Sequence, residues 1–157
     1  MDFDAVYEQY AGWMYRLAFA VLRQPQDAED AVQDAFLTLA SKLDFYGSLS
    51  PERMKAALTV VTRSRAINIL RKRKESADPE MMEQTLPGDS VSVTDGLLLQ
   101  EAMAALPPAS REIIILHYAD GFTVPEIADL LGSKKEAVKK ALYRARKRLH
   151  RFMEGEE

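Results

Sequence analysis

The sequence predicts an all-α protein: two small helical domains joined by a flexible acidic linker, the C-terminal one containing a helix-turn-helix. Three observations predict it. In 157 residues Gly and Pro number only seven each, while Ala, Leu, Glu, Lys and Arg abound, a balance that favours helix over sheet. Apolar residues recur at steps of three and four through most of the chain, the spacing of one helix face. Residues 75–96 ("ESADPEMMEQTLPGDSVSVTDG") lose that rhythm, carrying two Pro, two Gly and many acids, the composition of a tether between folded units. The predicted organisation is therefore a domain over 1–74, a linker over 75–96 and a second domain over 97–157.

Each element has its own justification. Tyr7, Tyr10, Met14, Leu17 and Val21 keep helical spacing, so the first helix covers about 2–23, and "RQPQ" breaks it. The second starts near Asp27, read as an N-cap with further acids in the first turn, where the helix dipole favours them. Its buried stripe is Ala28, Ala31, Val32, Ala35, Leu39 and Leu43. "DFYGSLSP" is read as a loop. Pro51 opens a third helix reaching about Lys74. Its first half is apolar nearly all round (Met54, Leu58, Val60, Val61) and is assigned to the core. Its second half buries Ile67 and Leu70 and turns Arg65, Asn68 and Lys72 to another side.

In the second domain "LLLQEAMAAL" is a short helix ended by Pro107-Pro108, and "PASREIIILHYADG" is another, stopped by Gly121. Two capping boxes follow, Thr123 with Glu126 and Ser133 with Glu136. They start two helices ten residues apart. Ala128 is small where the helices cross, Gly132 permits the turn and Val138 anchors the second helix, the pattern of a helix-turn-helix. Val138, Leu142, Ala145, Leu149 and Phe152 form the apolar stripe of the last helix, leaving Lys135, Lys139, Lys140, Tyr143, Arg146 and Lys147 outward.

The formal net charge of −3 hides a sorting. Residues 63–74 hold six Lys or Arg and no acid, and residues 134–151 hold nine with one acid, so fifteen of the 21 basic residues lie in two short stretches. Residues 24–41 carry four acids and residues 75–101 seven, neither with a basic residue. A partner feels these lobes and not their sum. A basic helix that is second in a helix-turn-helix suits a major groove, with its first turns at base edges and later residues at phosphates. The bland reading of such a helix is a solvated face or half of a coiled coil; the short apolar stripe and the preceding helix argue against it. The basic end of the third helix exceeds what a helix terminus requires and also fits nucleic acid. The nearby Phe45 and Tyr46 are aromatics suited to stacking on an unpaired base.

Asp27, Asp30 and Asp34 share a helical face with Gln33, Phe36 and Leu37 interleaved. That mixture fits a protein-docking surface, with a solvated face and a divalent-metal site as weaker alternatives, the metal lacking acids from a second helix. With no Cys and two His, disulfides, thiolate zinc sites and a Cys nucleophile are excluded. No Ser/His/Asp set or Gly-rich phosphate loop is present, so neither an enzyme nor a cofactor is expected. The N-terminus lacks a basic-then-apolar signal pattern and no apolar run approaches the roughly 18 residues of a membrane span; the expectation is a cytoplasmic protein without a membrane segment. The nearest rival class is a stand-alone helix-turn-helix regulator that binds DNA as a dimer.

"DAEDAVQDAF", a long helix ending "RAINILRKRK", an acidic linker, "LPPASREIIILHYADGFTVPEIADLLG" and "VKKALYRARKRL" together closely resemble the extracytoplasmic-function (ECF) sigma factors of bacterial RNA polymerase, over about residues 3–153. The resemblance implies that the first domain reads the −10 promoter element and helps melt it, and the second reads the −35 element. It implies core polymerase binding through Asp27, Asp30, Gln33, Asp34 and Leu37. It implies contact with −10 DNA, duplex and melted strand, through Phe45, Tyr46, Arg65, Asn68, Arg71 and Lys72. It implies −35 contact through Lys134, Lys135, Lys139, Lys140, Tyr143, Arg144 and Lys147. An anti-sigma factor is a further implied partner. The chain departs from the family where an aromatic is common early in the third helix ("ERMKAALTVV") and at Lys140-Ala141, so the −35 preference does not transfer.

Overall fold

The computed structural model describes residues 2–76 and 95–155. Residues 77–94, the greater part of the predicted linker, lie outside the described residues. The chain divides into two compact units, Met1–Asp78 and Pro79–Glu157. All regular structure among the described residues is helical, and no helix there is long and apolar enough to cross a membrane.

In the first unit α1 (Phe3–Leu22), α2 (Pro25–Ser41) and α4 (Pro51–Ser76) pack against one another pairwise, with the short α3 (Leu43–Gly47) against α2. The core joins Tyr10, Met14, Ala18 and Val21 of α1, Ala28, Ala31, Val32, Ala35, Phe36 and Leu39 of α2, and Met54, Leu58 and Ala66 of α4. Asp2 caps α1, its carboxylate accepting from the Asp4 and Ala5 amides. Arg23 ends α1 in the left-handed region (φ 55°), a conformation costly for a side chain with a Cβ; its guanidinium lies 4.6 Å over the Phe19 ring, and burial lowers its pKa.

Four expectations are corrected in this unit. The second helix begins two residues before Asp27, at Pro25, with Gln24 at the cap. Proline suits that first position because its missing N–H has no intrahelical partner there, so Asp27 sits in the first turn and not at the cap. The "DFYGSLSP" loop contains the helix α3, which takes in Leu43 and leaves that residue exposed. Val60, assigned to the core, is 45% exposed, because it stands two residues, about 200° around the helix, from both Leu58 and Thr62, which are buried. α4 also runs through Glu75 and Ser76, residues placed in the linker. Ser50 starts this helix, its hydroxyl accepting from the Arg53 amide.

In the second unit α5 (Asp95–Ala105) begins within the predicted linker, then come α6 (Pro108–Ile114), α7 (Val124–Leu131) and α8 (Lys135–Met153). α5, α6 and α7 all pack on α8. The core is Ala102, Met103, Leu106, Ile113, Ile114, Leu116, Phe122, Ile127, Ala128, Val138, Leu142 and Ala145. Arg111 is buried and donates from Nη1 to the Leu106 carbonyl, serving the end of α5. The helix read over "PASREIIILHYADG" is not uniform: after Ile114 it continues as a π-helical turn, Ile115–Ala119. Gly121 then reverses the chain at φ 79°.

Candidate nucleic-acid interface

The start of α7 and its turn into α8 are built by two local devices. Thr123 Oγ1 accepts from the Glu126 amide (3.2 Å) while Glu126 Oε1 accepts from the Thr123 amide (2.9 Å). This is the reciprocal capping box read from the sequence. Gly132 adopts φ 64°, and the next amide, Ser133, reaches back to the Ala128 carbonyl at 2.8 Å, closing α7 in the left-handed manner that glycine allows. The second predicted box does not form. The N-cap of α8 is Lys134, without a side-chain bond, because Ser133 is occupied in closing α7 and stands one residue too early.

From there α8 buries Val138, Leu142 and Ala145 against the unit. Leu149 is half-buried and Phe152 exposed, so the stripe fades over the last turn, where α8 outruns its neighbours. Lys134, Lys135, Lys139, Lys140, Tyr143, Arg144 and Lys147 are all exposed. Lys140, Tyr143 and Lys147 follow i, i+3, i+7 spacing and share the face opposite the core. Lys147 Nζ stands 5.5 Å from the Tyr143 ring centre. The acid Glu136 is 3.8 Å from Lys139, both open to solvent, so it screens little of the field. Tyr118, 54% exposed on the π-helical turn, was missed by sequence reasoning; its hydroxyl accepts from Arg146 Nη1 at 3.1 Å. An exposed tyrosine in a mostly apolar helix was its only signal.

In the first unit the predicted residues fall into three groups. Asp30, Gln33, Asp34 and Leu37 are exposed on α2, Leu37 by 67%. Asp27 is apart from them: its carboxylate turns to α4 and takes a hydrogen bond from Arg73 Nη2 at 2.5 Å. Phe36, read as interleaved with the acids, is core, its ring 5.7 Å from Phe3 and 4.8 Å from Tyr7. It belongs to the Val32, Phe36, Leu39 stripe, one residue off the acidic face.

The aromatic pair divides in the same way. Phe45 is 59% exposed and Tyr46 only 6%, their rings edge to face at 5.2 Å. Tyr46 is thus packed in the core and holds Phe45 outward; it has no free face for a base. On α4, Arg71 and Lys72 are exposed, while Arg65 and Asn68 are half-buried. Arg65 donates to Thr38 Oγ1 (3.0 Å), and Asn68 accepts from Arg71 Nη2 (2.8 Å). Phe45 lies on α3, ahead of α4 in the chain, and Arg71 lies in the last turns of α4. Twenty residues separate Pro51 from Arg71, about 30 Å along a helix.

Comparison with known proteins places both units. Residues 6–76 match the family described as Sigma-70 region 2, and residues 96–149 that described as Sigma-70, region 4. The chain is similar to the RNA polymerase sigma factor SigV of Bacillus subtilis, at 34% identity over 137 residues, covering 85% of this chain and 80% of that protein. It is similar to the ECF RNA polymerase sigma factor SigE of Mycolicibacterium smegmatis at 26% identity, covering 97% of this chain and 62% of that protein. Among solved structures it resembles the sigma factor RpoE, crystallised with the anti-sigma factor NepR from Bartonella quintana. That match has a TM-score of 0.75 at 25% identity and covers 98% of this chain and 97% of the other.

Proposed function

This chain belongs to the ECF sigma factors of bacterial RNA polymerase, and from that membership we propose which of its side chains do the work. The family assignment makes it a transcription initiation factor that binds core polymerase and selects promoters. The first domain, about 1–74, docks on core polymerase through Asp30, Gln33, Asp34 and Leu37, a mixed face of acids around one exposed leucine. It meets the −10 element along α4, with Arg71, Lys72 and Asn68 on the duplex and Phe45 stacking on the melted strand. The second domain, about 97–157, lays α8 in the major groove of the −35 element. Lys134, Lys135, Lys139 and Lys140 sit near the base edges and Tyr143, Arg144 and Lys147 further along. The protein acts in the cytoplasm, has no catalytic role of its own and is held inactive by an anti-sigma factor.

One observation carries this reading: seven predicted side chains stand exposed on α8 and its cap while its other side is buried. Two small modules joined by a segment of some twenty residues lose much freedom on binding both elements together. Core polymerase removes that cost by fixing their spacing, so the free chain binds promoter DNA weakly. Run-off transcription with core polymerase on a genomic library, followed by gel-shift titration on the recovered promoters, tests this. Start sites that depend on the chain, and DNA affinity that rises sharply with core enzyme, are expected. Equal affinity with and without core, from a sedimenting dimer, would instead identify a stand-alone regulator.

A further inference from the structure

The acidic helix α2 and the basic end of α4 are far apart in sequence, yet two arginines of α4 tie them together. Arg65 donates to Thr38 Oγ1, and the Thr38 hydroxyl donates in turn to the Asp34 carbonyl, each at 3.0 Å. Arg73 lies eight residues further along α4. Its Nη1 donates to the carbonyl of Leu22 (3.0 Å), the last residue of α1, and its Nη2 to Asp27 (2.5 Å), in the first turn of α2. The first partner is a group that a helix end leaves wanting, and the second is a charge that a helix start favours. The Leu22 carbonyl is one of the last four of its helix, which have no intrahelical donor. Asp27 sits at the positive end of the α2 dipole. The guanidinium fork satisfies both at once, which a lysine ammonium does with less directional control. The pair is three-quarters or so removed from solvent, at 21% and 33% side-chain exposure, so it is better shielded than a surface pair.

The consequence is geometric. Successive residues on a helix point about 100° apart, so holding Arg73 inward sets Arg71 and Lys72 outward. We propose that Asp27 and Arg73 are positioning residues: the pair locks the DNA-facing end of α4 to the start of α2, so one contact aligns the promoter-reading and polymerase-docking surfaces. Asp27 then works through Arg73 and touches no partner. This rests on the function proposed above.

The test uses the full chain with core polymerase and a promoter duplex recovered by run-off transcription. Variants are Asp27→Asn, Arg73→Gln, the two combined, and Arg73→Lys. Core affinity is measured without DNA, open-complex formation with DNA, and hydrogen exchange over residues 70–76. Each single neutralisation is expected to lower open-complex formation by about five- to tenfold and to speed exchange in the last turns of α4. Core affinity should stay within about twofold, and the double variant should be no worse than Arg73→Gln, which already loses both of the arginine's bonds. Arg73→Lys keeps the charge and one contact, stays folded, and should fall between. Loss of core affinity in Asp27→Asn alone would make Asp27 a direct docking contact and overturn the inference. So would single losses that multiply in the double variant, or wild-type behaviour in both Asp27→Asn and Arg73→Lys. A wild-type chain that ignores core polymerase sinks the functional reading itself, a result the variants cannot imitate.

Discussion

Phe45 and Tyr46 are adjacent aromatics with opposite fates, and the contrast yields a matched pair of experiments. Tyr46 is buried in the first unit while Phe45 projects from it. Tyr46→Ala removes a packed ring and should cost about 3 kcal/mol of stability, read by thermal or urea unfolding. Phe45→Ala should leave unfolding nearly unchanged. It should weaken open-complex formation by about tenfold, since stacking one base on an aromatic is worth about 1–3 kcal/mol. A stable Tyr46→Ala protein, or an unfolding Phe45→Ala protein, would reverse the two assignments. The sequence offered both residues for stacking on a base but could not separate them, because α3 is too short to show a period.

At the scale of the element, the two candidate capping boxes make a second matched pair. Thr123 is bonded reciprocally with Glu126, so Thr123→Ala should destabilise the second unit by about 1 kcal/mol. That corresponds to a fall of about 4–8 °C in its unfolding transition. Ser133 makes no cap for α8, and Ser133→Ala should stay within about 0.5 kcal/mol. Gly132→Ala meets no steric neighbour but must still adopt φ 64°. It should lower stability by about 1 kcal/mol through backbone conformation alone. Circular-dichroism melts of the three variants check the order. The same four-residue pattern thus has two outcomes, decided by where the preceding helix ends.

For the whole molecule, the relevant quantity is the sorting of charge and not its total. On the proposed reading, a chain of net charge −3 binds a polyanion through the cations gathered on the exposed face of α8. The salt dependence of DNA binding counts those contacts. If Arg144 and Lys147 each meet a phosphate, replacing one by Gln should make the slope of log K against log salt shallower by about 0.9. Two replacements should double the change. Fluorescence anisotropy of the holoenzyme on a promoter duplex, across a salt series, measures it. A slope indifferent to both would remove α8 from the DNA backbone.

The sequence alone determined the all-helical class, the five longer helices to within a few residues, the turn at Gly132 and the basic face of α8. These rest on local physics: helical periodicity, a capping box and a glycine at positive φ are legible because their partners lie within four residues. Tertiary structure decided the rest. Asp27, apparently one acid among three on a surface, is turned inward by Arg73, 46 residues away. Arg65, apparently free for DNA, is engaged by Thr38, 27 residues away. Phe36 and Tyr46 are core and Val60 is not, because burial depends on which helix lies opposite. A side chain's type states what it is able to bind, but only the packing of distant segments determines whether it has already bound something within its own fold.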